Sequence, residues 1–275
     1  MQFDIGQRTD VGRRRDHNED FLGVFRPELT AELVHRGILL VVADGMGGYA
    51  AGEVASRTAV EAANQAYYGD LLSNVENALN RALTTANSMV VEEANRDAER
   101  AGMGTTIAVA VIRGEELVAA NVGDSRVYLL RDHHLSQVTH DHSWVAELLG
   151  AGKITPEEAQ RHPMRNVVTR SLGGHAEVQV EVYPSSPLQP GDTVLVCSDG
   201  LWGMVPAERI THILDSLSAQ AAADALIVAA NEAGGHDNIS AIVCRVLGDE
   251  DSTEFEKTEM LDPIVLQDTQ PIPRL

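Results

Sequence analysis

The feature that most constrains this chain is the run Ile38-Leu39-Leu40-Val41-Val42-Ala43, which ends in Asp44-Gly45-Met46-Gly47-Gly48. A continuous apolar stretch of this length, rich in β-branched residues and closed by glycines, reads as a buried strand that delivers a carboxylate to a glycine-rich turn. A buried strand needs a core around it. The 275 residues, 44% of them apolar, are enough to build one large domain.

The helices around that strand show in the spacing. Ala50 to Tyr68 is alanine-rich and helical in pattern. Between residues 73 and 98, Val75, Ala78, Leu79, Ala82, Leu83, Ala86, Met89, Val90 and Ala94 recur at intervals of three and four. Thr105 to Ile112, Leu117 to Val122 and Arg126 to Leu130 are β-rich and separated by short polar turns, the pattern of an antiparallel meander. Residues 141 to 161 read as helical, with Thr155 and Pro156 at a helix start. Strands are expected at Val178 to Tyr183, Thr193 to Cys197 and Ile239 to Val246, and helices at about Pro206 to Leu217 and Ala219 to Glu232. Clustered strands with paired helices indicate an α+β fold rather than a regular βαβ array.

Charge narrows the partners. With 21 Lys and Arg against 41 Asp and Glu, the formal charge is -20, so nucleic acid and anionic membrane surfaces are repelled. Cys197 and Cys244 sit inside apolar strand patterns and are expected to be buried and reduced. There is no basic segment followed by an apolar one at the start, and no run of about 18 apolar residues; a soluble cytoplasmic protein is expected. From Asp249 the composition turns acidic and proline-bearing, so residues 1–248 are expected to form the domain and 249–275 a disordered tail.

Four carboxylates share one context, an apolar strand or its edge running into Asp and a turn-forming residue: Asp44-Gly45, Asp124-Ser125, Asp199-Gly200 and Asp237-Asn238. Any one of them is explained by a turn. Together with Asn18-Glu19-Asp20 they suggest convergence, and crowded carboxylates call for bound divalent cations of the oxygen-preferring kind. Two such ions can acidify a water and stabilise displacement at phosphorus. Arg13, Arg14 and Arg15 precede the acidic trio, and a guanidinium fork suits phosphate.

These residues form an ordered set: Arg15-Asp16-His17-Asn18-Glu19-Asp20, Asp44-Gly45-Met46-Gly47-Gly48, Gly104-Thr105-Thr106, Val122-Gly123-Asp124-Ser125-Arg126, Asp141-His142-Ser143, His162-Pro163-Met164-Arg165-Asn166, Cys197-Ser198-Asp199-Gly200-Leu201-Trp202 and Asp237-Asn238-Ile239-Ser240. In this set the chain resembles the bacterial-type 2C metal-dependent protein serine/threonine phosphatases over nearly all of residues 1–248. The resemblance implies a four-layer αββα sandwich, two antiparallel sheets face to face with helices on both outer faces. It implies Asp44 bridging two Mn²⁺ or Mg²⁺ ions, with the Gly45 carbonyl on one and Asp199 and Asp237 on the other, and Asp124 joining Asp199 at a third. Glu19 and Asp20 would hold metal-bound waters, with Asn238 behind Asp237, and Arg15 would take the substrate phosphate. Residues 150 to 170 would form a flap that shapes substrate choice.

Two departures stand out. Met46 occupies a place where many relatives carry a proton-donating His, and Tyr49 follows the double glycine where many bacterial relatives also carry His. The implied partners are phosphoproteins, substrates of a serine/threonine kinase. Apart from the resemblance, the tail segments at Thr258 and Thr269 read either as an inert solubilising tail or, once phosphorylated, as phosphothreonine docking sites. A catalytically inactive regulatory module of the same fold is the alternative, but it would predict loss of Asp44, Asp199 or Asp237, and all three are present. Structural calcium binding is disfavoured, because no contiguous twelve-residue calcium loop appears.

Overall fold

The computed structural model describes residues 1–27, 30–47 and 51–248. Gly48, Tyr49 and the tail at 249–275, with its two threonine segments, lie outside the described residues. One sheet runs β1 (Gln2–Asp10), β12 (Ile239–Leu247), β11 (Thr193–Cys197), β7 (Arg126–Arg131), β8 (His134–Gln137). The other runs β10 (Ser186–Pro187), β6 (Glu116–Val122), β5 (Ile107–Arg113), β3 (Ile38–Met46), β2 (Asp20–Phe25), with β4 (Gly104–Thr105) on β3 and β9 (Glu181–Val182) on β6. All pairings are antiparallel.

Side-chain alternation explains why the central strands are apolar throughout. In β3, Ile38, Leu40 and Val42 enter the layer between the sheets, where they join Val194, Val196, Ile242 and Cys244. Leu39, Val41 and Ala43 point the other way, against α2 (Ala51–Gly69) and α3 (Val75–Arg96). On the opposite side Leu195, Cys197, Ala241 and Val243 pack against α7 (Ala207–Ser216) and α8 (Ala219–Glu232). Both faces of each sheet are therefore buried, and four layers result. Each Val, Leu or Ile so buried contributes about 1.5–3 kcal/mol. Cys197 and Cys244 are free and buried as expected, and burial pushes the Cys197 thiol up to about 12.

Three expectations are corrected. Arg126 to Leu130 does not continue a meander: β5 and β6 pair, but β7 crosses to the other sheet and pairs with β11, Tyr128 opposite Leu195. The crossover needs Gly123, whose φ is +107° and whose missing Cβ leaves room for the Thr106 side chain. Residues 141–161 form two short helices, α4 (Trp144–Gly150) and α5 (Pro156–Arg161). Gly152 at φ +65° ends the first, and a Thr155/Glu158 capping box with Pro156 starts the second. Of Val178 to Tyr183 only β9 is strand, since it pairs at the edge beside Ala120 and Asn121. The chain also forms β1, β2, β8, β10, a short α1 (Thr30–Arg36) and a one-turn α6 (Asp199–Trp202), none of which the pattern announced.

Candidate metal centre

At one end of the sandwich the inter-sheet layer changes from apolar to acidic. Asp20 and Asp44 stand opposite each other in the β2–β3 register and continue the rows of Leu22 and Val42. Ser198 and Ser240 replace the apolar residues of β11 and β12 across the gap: the Ser198 hydroxyl donates to Asp20 Oδ2 at 2.7 Å and accepts from the Ser240 amide at 3.0 Å. Asp124 arrives on the crossover before β7, Asp199 opens α6, and Asp237 precedes β12.

Each is fixed by its backbone. The Asp44 carbonyl accepts from the Thr106 amide at 2.9 Å and the Thr105 hydroxyl at 2.9 Å, which accounts for Gly104-Thr105-Thr106. Asn238 is buried; its Oδ1 accepts from the Glu19 amide at 2.8 Å, and its Nδ2 donates to the Val11 and His17 carbonyls. The loop of residues 11–19 is thus clamped beside Asp237. Neither expected Asp-Gly turn is a turn. Gly45 lies in β3, where a Cβ would sit 2.1 Å from the Gly52 carbonyl, and Gly200 lies in α6, where it would sit 2.0 Å from the Asn238 carbonyl. The glycines are there because other backbone passes against them.

The carboxylates feel one another. Burial first, and then the neighbouring acids, push Asp20 up to about 7, Asp124 up to about 8 and Asp199 up to about 6, and hold Asp44 well above the carboxylate range. The charges acting on Asp44 are those of Asp20, Asp199, Asp124 and Asp237, so the five acids share one site. Burial also raises Glu19. Arg15, about half exposed, donates to Asp237 Oδ2 at 2.7 Å, and that bond raises its pKa.

The donor set fits hard divalent cations. It consists of oxygens alone, and the buried Asp20 Oδ1 and Asp199 Oδ1 have no hydrogen-bond partner. Among the described residues no three or more His, Cys, Asp or Glu side chains are already drawn into a closed ligand set.

The surrounding motifs act as supports. The Trp202 indole donates to the Asp124 carbonyl at 3.0 Å, and Arg126 stacks 3.4 Å from the Trp202 ring centroid while binding Asp141 through two bonds. His142, 4% exposed, accepts the Gly123 amide on Nδ1 and meets Glu181 through Nε2. Burial lowers its pKa, with the charge of Arg170 acting in the same direction. His17 is exposed, and the His162 Nδ1 accepts the Met164 amide. Trp144, 43% exposed, opens α4 and lies outside the core. Ser198 and Trp202 lay inside a motif, but only the assembled sheets reveal their contacts.

Residues 13–233 match the family described as protein phosphatase 2C. The chain belongs to the protein phosphatase 2C family. It is 42% identical over 241 residues to the serine/threonine phosphatase Stp of Listeria monocytogenes, across 86% of this chain and 93% of that one. The solved structure of the Stp1 serine/threonine phosphatase of Staphylococcus aureus superposes with a TM-score of 0.82 at 34% identity, covering 90% and 96% of the two chains. The catalytic domain of the PstP serine/threonine protein phosphatase, solved in complex with two manganese ions, superposes at 0.77 with 35% identity, covering 90% and 99%. The four-layer sandwich expected from the motifs is the fold found. Among the described residues no helix is long and apolar enough to cross a membrane.

Proposed function

We propose that this protein hydrolyses phosphoserine and phosphothreonine on proteins phosphorylated by a serine/threonine kinase, in the cytoplasm, using a divalent-cation centre held by Asp44, the Gly45 carbonyl, Asp199 and Asp237, with Asp124 at a third position. The observation that carries the residue assignment is the convergence of five acids on one sandwich end, two with orphaned buried oxygens. Bound Mn²⁺ or Mg²⁺ supplies acidification of a water toward neutrality and charge neutralisation at phosphorus.

The chain's own residues do the rest. Asp44 is positioned from both sides of its peptide by Thr105 and Thr106, and Glu19 and Asp20 stand beside it to orient water. Arg15 is half-exposed at the mouth and presents the fork that takes the phosphoryl oxygens. Met46 has no proton to give, so the leaving oxygen takes its proton from water or from another group of the site. The test is Mn²⁺-dependent phosphate release from an aryl phosphate and a phosphothreonine peptide. Asp199→Asn is expected to remove about two or more orders of magnitude of activity; full activity in that variant refutes the assignment.

A further inference from the structure

The cations of this acidic chain are unevenly used. Among the described residues eleven of the eighteen Arg meet a carboxylate: Arg8 pairs with Asp224, Arg113 with Glu116, Arg131 with Asp192 and Arg209 with Glu232, for example. Arg245 instead donates to the Leu214 and Leu217 carbonyls. Apart from Arg26, the side chains with no such partner are Arg13 and Arg14 in the clamped loop, and Lys153, Arg161, Arg165 and Arg170 on the segment between α4 and Leu172.

Both segments border the metal centre. The loop of Arg13 and Arg14 is tied at Gly235 by the Arg13 amide, 2.7 Å from its carbonyl, and by Asn238. Arg13 also lines a cleft of about 520 Å³ between β1 and α8, where Arg8, Asp10, Asp224, Asn231 and Glu232 face it. The other segment leaves at Ser143 and returns beside it: Thr169 donates to the His142 carbonyl at 2.8 Å, and Leu172 exchanges both backbone bonds with Thr105, the residue holding Asp44. Glu147, Glu157 and Glu158 ride on its outgoing part, with Glu158 bound to the Thr155 amide. The returning part, residues 159–176, carries Arg161, Arg165 and Arg170 and no carboxylate.

Unpaired guanidinium groups beside a site that itself concentrates negative charge are not there to balance the fold. We propose that they form a cationic rim that selects phosphoproteins whose phosphorylated residue is flanked by acidic side chains. The proposal rests on the phosphatase reading of the site. Arg15 takes the phosphate, Arg13 and Arg14 read the flank on one side of the mouth, and Arg165 and Arg170 read it on the other. The rim also offsets the long-range repulsion that a chain of charge -20 exerts on an acidic substrate.

The test uses the full chain with Mn²⁺ and two phosphothreonine peptides identical except that one carries Glu and the other Gln at the flanking positions. Turnover is read as the ratio of kcat/KM on the same enzyme, and binding by fluorescence anisotropy with non-hydrolysable phosphonate analogues. The Glu peptide is expected to be favoured about tenfold, the sum of a few individually weak exposed pairs. The preference should shrink to about twofold when salt shortens the screening length to on the order of 4 Å. Replacing Arg13 and Arg14, or Arg165 and Arg170, by Gln should cut it, and replacing all four should abolish it. Equal binding of the two analogues overturns the rim whatever turnover does, as does a preference that survives the fourfold replacement. If neither peptide is hydrolysed but the Glu analogue still binds more tightly, the rim stands and the phosphatase reading fails.

Discussion

Trp202 donates its indole N–H to the backbone carbonyl of Asp124 at 3.0 Å, from a position one turn after Asp199. A single rigid ring therefore ties the short helix that presents one acid to the crossover that presents another. The far side of the tie is Arg126, stacked on the ring and held by Asp141, so the ring is packed against a part-buried ion pair.

Trp202→Phe keeps most of the stacking surface and removes only the donor. The loss of one hydrogen bond to a buried carbonyl costs about 1 kcal/mol of stability. The larger expected effect is on metal use, since partners behind a ligand are worth about 10-fold or more in affinity or activity. The Mn²⁺ concentration for half-maximal phosphate release should rise several-fold. An unchanged metal titration would mean that the tie does not position Asp124.

The acid cluster makes a pH prediction for the metal-free protein. Asp20, Asp124 and Asp199 are raised to about 7, 8 and 6, and Asp44 is raised as well, by burial and mutual repulsion. In the unfolded chain these groups return to about 3.9. Between about pH 4 and 8 the folded state therefore holds protons that the unfolded chain has released, and stability falls as pH rises through that window. His142, lowered by burial, works the other way: it costs stability as pH drops below its ordinary value, against the raised acids Asp20, Asp44, Asp124, Asp199 and Glu19. Melting temperatures in chelator should decline from pH 5 to pH 8 by several degrees, about 2–4 °C per kcal/mol in a domain of this size. Added Mn²⁺ should flatten or reverse the slope, because cations replace the protons. A metal-free melting temperature that climbs over this range would contradict the cluster's electrostatics.

Arg15 separates charge from shape. Its guanidinium holds Asp237 at 2.7 Å while about half of the side chain stays exposed, so one edge of the fork is engaged and the other faces the mouth. Arg15→Lys keeps the charge but cannot make two parallel bonds to a phosphoryl group. The expected result is a fall of about tenfold or more in kcat/KM for a phosphothreonine peptide. Wild-type kinetics in this variant would remove Arg15 from the phosphate site.

What the sequence made legible follows from what its signals measure. The helices α3, α7 and α8 and the central strands β3, β5, β6, β11 and β12 were readable because burial on one stripe or on both faces writes itself into the apolar pattern. The edge strands β1 and β2 were not, since few of their positions are fully buried: in β1 only Gly6 and in β2 only Asp20. The break of residues 141–161 into two helices was marked by Gly152 and the Thr155 cap, but the apolar spacing alone ran through it. The transfer of β7 to the other sheet left no local mark beyond Gly123, because sheet membership depends on a partner some 70 residues away at Leu195. The acids of the site were visible as repeated strand-to-Asp junctions. Their glycines were misread as turns, because close backbone approach and left-handed φ both select glycine.

That misreading supplies a decisive contrast. Gly200 sits in a helix, where Ala is ordinarily preferred by about 1 kcal/mol, yet its Cβ would lie 2.0 Å from the Asn238 carbonyl, which is backbone and has no rotamer to yield. Gly69, at the end of α2, has nothing within 4 Å of its Cβ position. Gly69→Ala should leave both stability and phosphate release within the usual range for a surface change, about 0.5 kcal/mol. Gly200→Ala must push Asn238 away, and Asn238 holds Glu19, Val11 and His17 while flanking Asp237. Its expected cost is about 2 kcal/mol or more in urea denaturation, together with loss of most Mn²⁺-dependent activity. If Gly200→Ala behaved like Gly69→Ala, the approach of β12 to α6 would not be what sets Asp199 and Asp237 side by side, and the site's architecture would have to be held by the strands alone.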